Sequence, residues 1–332
     1  MIFQTPILAL LLVATLAAVT ALWSSGFALR VLRHWDLANM SRAQLRLERT
    51  TELVSTLFGA VMIAELAALL LFVFNADRMA TLFVGAMCAV GTLNVNPYGF
   101  PALYLKIAVF FAATLWLILD RADRIGRDYP LTRVKYAALL AILPLVLADG
   151  ALELAYFLNL RTDVITSCCS KLFTPNNPNL ANQMASVGSG TALWLLGAAG
   201  AAVLLSGVAA LVRRKGYALY AACSALFFAA GLTAVVATIS LYVYENPNHH
   251  CPFCILKPEY GYYGYALYVP LFLGTALGLG AGMLQPFARI PSLSDRLPGL
   301  MRRQLLWSLA GFGLFVLAAL WAIARSHLIL FG

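Results

Sequence analysis

Eight long apolar stretches, at 6–30, 52–75, 101–119, 135–159, 190–212, 217–244, 261–285 and 304–324, limit what this chain can become more than any other feature. Crossing the hydrocarbon core of a bilayer as a helix takes about 20 predominantly apolar residues. A segment in lipid must satisfy its own backbone hydrogen bonds, so each stretch is expected to form an α-helix. Composition agrees: 62% of the residues are hydrophobic and 11% are charged, against about 25% charged in a soluble domain. The predicted class is therefore an all-α integral membrane protein with eight transmembrane helices in contact with the lipid bilayer. The first stretch has neither a basic leader nor a small-residue cleavage site, so it is read as a retained helix.

A ninth apolar run, 79–93, is too short and too rich in glycine to span. It leads into Asn94-Val95-Asn96-Pro97-Tyr98-Gly99, which is turn chemistry. The segment near 79–98 is expected to be re-entrant or interfacial, a kind of backbone that survives at membrane depth only against protein or a wet cavity.

The net charge of +9 does not point to nucleic acid, because the basic residues sit in short connections between apolar segments. Seventeen of the 23 Lys and Arg residues fall in the connections after the first, third, fifth and seventh helices, counting Arg30 and Lys135 at the edges of their stretches with the connections. By the positive-inside rule those connections are cytoplasmic and both termini lie on the outer side. Read as a bacterial inner-membrane protein, the chain then carries Cys168, Cys169, Cys251 and Cys254 on its periplasmic face, with Cys88 near it. That is the oxidising side, where disulfides form and persist.

A weak internal repeat is visible. Ala102-Leu103-Tyr104 recurs as Ala266-Leu267-Tyr268 at an offset of 164 residues, each triplet following an aromatic Tyr-Gly start. At that offset Cys88 falls beside Cys251. The chain divides on this basis into a first four-helix unit, 1–160, an outer loop, 161–189, and a second four-helix unit, 190–332. A tandem of even-helix units is a parallel repeat.

The chemistry concentrates in His249-His250-Cys251-Pro252-Phe253-Cys254. Two thiols at this spacing can close a small disulfide ring. A helix start at the motif, or a protonated His249 or His250, would favour the thiolate, which is the attacking species. Three readings stay open here: a redox-active pair, a soft-metal site in which the histidines and cysteines supply ligands, and a fixed disulfide. Cys168 and Cys169 are adjacent, and their polar loop is long enough to reach the second unit. They are expected either to exchange with Cys251 or Cys254 or to staple loops together. The metal alternative draws on Cys168, Cys169, Cys251, Cys254 and His250. Cys88 is a candidate by its place on the repeat, against the plainer role of a small buried hydrophobe.

Charges inside the apolar segments form a second group. Glu65, Lys106, Asp149 and Glu153 each lie within a predicted helix, where a charge at the bilayer centre costs about 2.5–3.5 kcal/mol on insertion scales. Asp149 and Glu153 are four apart and share one helix face. Together the four are expected to make a polar site or proton relay, or a buried ion pair that sets helix packing. The tyrosines after the motif, Tyr260 and Tyr263 among them, suit an aromatic belt at the interface or a surface on which a quinone ring stacks.

The run Cys251-Pro252-Phe253-Cys254-Ile255-Leu256-Lys257, with a second cysteine pair in an outer loop, resembles the DsbB and vitamin K epoxide reductase group. Members of that group pass electrons between thiol pairs and a quinone in a helical bundle. The resemblance is confined to this short stretch. It implies that Cys254 faces the quinone and that Cys251 exchanges with a loop cysteine. The function expected from the sequence is membrane thiol–disulfide oxidoreduction between a periplasmic thioredoxin-like partner and a membrane carrier such as quinone. Soft-metal binding or transport, with copper, mercury or zinc and a metal-binding protein as partner, is the alternative. A membrane complex subunit with structural disulfides is a third.

Overall fold

The computed structural model describes residues 3–36, 41–126, 128–166 and 180–330, and no strand occurs among them. Among the described residues eight helices are long and apolar enough to cross a membrane: Thr5–His34, Arg42–Leu82, Gly99–Ile125, Thr132–Leu158, Ser189–Arg213, Tyr217–Tyr244, Tyr263–Arg289 and Leu297–Arg325. The architecture is that of an all-helical, multi-pass membrane protein. Six of the eight apolar stretches read from the sequence lie wholly in one of these helices, while 135–159 overruns its helix by one residue and 261–285 begins two residues before its own. Gly99–Ile125 and Tyr263–Arg289 keep the 164-residue offset at both ends. Cys168 and Cys169 lie outside the described residues.

In chain order the α-helices are α1 (Thr5–His34), α2 (Arg42–Arg78), α3 (Ala89–Leu93), α4 (Gly99–Ile125), α5 (Thr132–Leu158), α6 (Leu180–Ala185), α7 (Ser189–Arg213), α8 (Tyr217–Ala234), α9 (Ser240–Tyr244), α10 (Tyr263–Leu284) and α11 (Leu297–Arg325). The helix α2 begins well before its apolar stretch, so Arg42, Arg46 and Arg49 sit on helix and not in a loop. Arg, Gln, Leu and Glu are good helix formers, and Gln44 Nε2 donates to Glu48 Oε1 one turn on at 3.1 Å.

The chain forms two compact units. The first comprises Met1–Ala76, Leu93–Val164 and Phe287–Leu297. The second comprises Asp77–Thr92, Ile165–Pro286 and Pro298–Gly332. Each holds four of the long helices. The division departs from chain order in one respect that matters for chemistry. The stretch around Cys88, assigned to the first unit when the chain is read end to end, belongs with the second. It consists of a 3-10 turn at Met79–Leu82, an irregular piece and α3. Its packing explains the assignment. Thr166 donates from its backbone N–H to the Val84 carbonyl at 3.0 Å, and from its hydroxyl to the Gly91 carbonyl at 2.8 Å. Gly85, at φ +84°, faces the Thr166 carbonyl so closely that a Cβ there would strike it.

The first unit has its core where Phe58 meets Trp116 edge-on at 4.6 Å and Phe27 meets Tyr136 at 5.5 Å. Buried polar groups are tied in. Tyr136 donates to the Thr51 carbonyl at 3.1 Å, and Trp116 Nε1 donates to the Lys135 carbonyl at 3.2 Å. Lys135, counted from the sequence among the loop cations, is in fact buried. Its Nζ lies 3.0 Å from Asp120 Oδ1 and 2.8 Å from Asp123 Oδ2. Asp123 also accepts from the Leu131 N–H and the Thr132 hydroxyl. This network closes the short turn between α4 and α5.

In the second unit Phe227 of α8 packs on Phe312 and Phe315 of α11 at 4.6 and 5.9 Å. The stripe Gly274, Gly278, Gly282 lets α10 approach its neighbours closely, as small residues do in membrane helices. A Cβ on Gly278 would lie 2.5 Å from Ser224 Oγ and 3.0 Å from Ser308 Oγ.

Candidate functional site

Three cysteines from two distant parts of the chain meet in the second unit. The Sγ atoms of Cys88, Cys251 and Cys254 all lie within 4.8 Å of one another. Cys88 Sγ is 3.5 Å from Cys251 Sγ. Cys88 and Cys251 are 0% exposed and Cys254 is 6% exposed, so bulk solvent is excluded from all three.

The Cys-Pro-Phe-Cys segment is held by its backbone. Tyr244, at the end of α9, donates its hydroxyl to the Cys251 carbonyl at 2.6 Å. Tyr268, on α10, donates to the Pro252 carbonyl at 2.7 Å. Two tyrosines thus clamp consecutive carbonyls of the motif from two helices. Neither stands out in the sequence as a partner of the thiols, although Tyr268 belongs to the repeated Ala-Leu-Tyr triplet. The segment then enters a 3-10 turn at Cys254–Leu256 and another at Pro258–Tyr260.

The following α-helix begins only at Tyr263. The sequence expectation that the thiols sit at a helix start is therefore corrected. Pro258 has no N–H to offer a helix, and Gly261 and Tyr262 both adopt left-handed φ, at +61° and +56°. A helix cannot run through such a pair. Its dipole acts within the first turn, so it is not what would favour a thiolate at Cys251 or Cys254.

The two histidines differ. His250 Nδ1 lies 3.1 Å from the Val236 carbonyl. A carbonyl only accepts, so the His250 Nδ1 donates to it. Val236 belongs to a π-helical turn, Val235–Ile239, between α8 and α9. Such a turn takes carbonyls off the α ladder, and they find partners elsewhere. Val236 accepts from His250, and Ala237 accepts from the Ser189 hydroxyl at 3.1 Å.

The His249 ring lies 4.2 Å from that of Tyr244, and its buried Nε2 has no hydrogen-bond partner. Burial, and then the charge on His250, holds His249 below the usual imidazole value. A protonated His249 beside the thiols is thereby disfavoured. The candidate quinone-stacking residues are likewise separated. Tyr260 packs edge-on against Tyr244 at 4.7 Å, within reach of the motif. Tyr263 spends its hydroxyl on the Ala318 carbonyl at 2.5 Å, which makes it a helix-packing residue.

The intramembrane charges gather in the first unit. Lys106 Nζ lies 2.5 Å from Glu153 Oε2, 2.8 Å from Asp149 Oδ2 and 3.5 Å from Glu65 Oε2. All four residues are at most 1% exposed. Three helices contribute: Glu65 from α2, Lys106 from α4, Asp149 and Glu153 from adjacent turns of α5.

The residues of the second unit can support two chemistries. Three buried thiols in mutual reach can pass a disulfide among themselves. A soft metal bound by three thiolates at about 2.3 Å would hold its sulfurs about 4 Å apart, and the observed triangle is close to that size. No protein-family model, no curated protein and no solved structure matches this chain.

Proposed function

We propose that this protein is a membrane thiol–disulfide oxidoreductase, with Cys88, Cys251 and Cys254 as a relay on the periplasmic side of a bacterial inner membrane. The observation that carries the proposal is the 3.5 Å contact between Cys88 and Cys251, with Cys254 in the same triangle. Oxidation of two of the thiols forms one S–S bond and releases two protons and two electrons. A membrane quinone takes both and leaves as quinol. The third thiol, as thiolate, attacks the new disulfide and moves it to another pair. The burial of all three cysteines favours internal exchange over direct attack by a bulky partner. Electrons then enter through the loop that carries Cys168 and Cys169, from a thioredoxin-like protein. That loop follows directly on Thr166, which is bonded to the backbone on both sides of Cys88.

Differential alkylation with peptide mapping, on intact membranes before and after addition of a quinone or a thiol reductant, tests this. The expected result is a disulfide involving Cys251 that appears with quinone and is lost with reductant. Cysteines whose labelling is the same under both treatments would overturn the proposal. The second reading, a soft-metal site, is favoured by the size of the sulfur triangle. It predicts thiols that become alkylatable only after a chelator, together with about one equivalent of copper, zinc or mercury in the purified protein. The segment 79–98 is proposed to enter the membrane from the outer side and to carry Cys88 to the motif.

A further inference from the structure

The second buried cluster lies in the first unit and takes no part in thiol chemistry. Its charges do not balance. One ammonium, on Lys106, faces three carboxylates, so the group would carry two net negative charges if all were ionised. Within apolar helices such an excess is strongly disfavoured.

The hydrogen bonding singles out where a ligand would sit. Lys106 donates to Asp149 Oδ2 and Glu153 Oε2. Asp149 Oδ1 and Glu153 Oε1 are buried without hydrogen-bond partners. Glu65 is 1% exposed, and neither of its carboxyl oxygens accepts a hydrogen bond. It nevertheless points at the cluster, with Oε2 3.5 Å from Lys106 Nζ.

No charge from the surrounding elements relieves the excess. The basic residues of α1, Arg30, Arg33 and His34, are exposed at its C-terminal end. The remaining charges of α2, α4 and α5 lie twelve or more residues along the chain from Glu65, Lys106 or Asp149. Arg161, beyond α5, is exposed and paired with Asp163 at 3.2 Å.

We propose that Glu65, Asp149 and Glu153 around Lys106 form an intramembrane proton-binding site that holds two exchangeable protons. Protons fit the arrangement better than a metal cation does. An ammonium already occupies the centre and would repel a second cation, while a hard cation would call for six or more oxygens. A carboxyl O–H, in contrast, needs only one acceptor, and the orphan oxygens supply several. Glu65 is the residue most readily loaded, because its contact with the Lys106 ammonium, at 3.5 Å, is longer than those of Asp149 and Glu153.

The test is infrared spectroscopy of the full-length protein in lipid nanodiscs, and it stands apart from the thiol reading. The wild-type protein is expected to show carbonyl bands of protonated carboxyl groups at neutral pH that shift on exchange into deuterium oxide. Glu65→Gln and Asp149→Asn are expected each to remove part of that intensity. Proton uptake, measured by a pH-indicator dye after an alkaline-to-neutral jump, is expected to fall in the same variants. Because the wild-type spectrum needs no substitution, a variant that fails to fold leaves the test intact. Absence of protonated carboxyl bands at neutral pH would overturn the proposal. So would bands that both carboxyl variants leave unchanged, or bands that sodium or calcium abolishes at constant pH.

Discussion

Two tyrosine hydroxyls decide how rigidly the thiols are presented. Tyr244 and Tyr268 clamp the carbonyls of Cys251 and Pro252. Each bond is worth about 1 kcal/mol, and removing a donor leaves a carbonyl that must find another partner or go unpaired. Tyr244→Phe is expected to lower the unfolding free energy by about 1–2 kcal/mol and to speed alkylation of Cys251 several-fold, as read by mass spectrometry under native conditions. An unchanged labelling rate would show that the clamp does not restrain the motif. His249 carries a prediction of its own. Its folded-state pKa lies below the unfolded value of about 6.5, because burial disfavours the imidazolium. The unfolded chain then binds the extra proton first, and this group's contribution to stability is lost as pH falls below about 6.5. Nitrogen chemical shifts of labelled histidine are expected to show His249 still neutral where a free imidazole is half-protonated.

At the scale of helices, close approach and irregular turns do the positioning. Gly278 sits where α10 passes Ser224 of α8 and Ser308 of α11, and a side chain there must displace one of them. Ser308 is not free to give way, since it accepts from Tyr220 at 2.8 Å and donates to the Gly274 carbonyl at 2.5 Å. Gly278→Val is expected to cost about 1–3 kcal/mol by overpacking, measured as a lowered midpoint of thermal unfolding in detergent. Gly299→Ala, in α11 with nothing within reach of the added carbon, serves as the control and is expected to leave the midpoint unchanged or slightly raised. The π-turn at Val235–Ile239 is the other device. It ties α8 to the start of α7 through Ser189 and to His250 through Val236. Neither it nor the left-handed pair before α10 carries a signal in hydropathy, which reads the run 217–244 as one uniform helix and starts the next at 261.

For the whole molecule, the distribution of Arg and Lys predicts both termini on the outer side. Reporter fusions at the C-terminus, active only on the periplasmic side or only in the cytoplasm, check this. A cytoplasmic C-terminus would invert the chain and put the CPFC motif on the reducing side, removing the basis for a periplasmic thiol relay. The helices themselves were legible in advance because lipid leaves an apolar backbone one choice, and that choice is written locally in each run of about 20 residues. The four intramembrane charges were legible too, as exceptions in those runs, and Asp149 and Glu153 were paired by spacing. What spacing could not supply was distance across the fold. The assembly of Glu65, Lys106, Asp149 and Glu153 into one cluster depends on how α2, α4 and α5 rotate about their axes, which is set by packing. Lys135 illustrates the same limit. It counts as a loop cation in sequence and is a buried partner of Asp120 and Asp123 in the structure. Cys88 is the sharpest case. Hydropathy marks its segment only as too short to span, and nothing local distinguishes its thiol from a packing residue. Its segment is held by non-local hydrogen bonds, such as those from Thr166 to Val84 and Gly91, between residues far apart in the chain. Spanning segments were therefore decided by local chemistry against lipid. The thiol triangle and the carboxylate cluster were decided by which faces and loops the packed helices bring together.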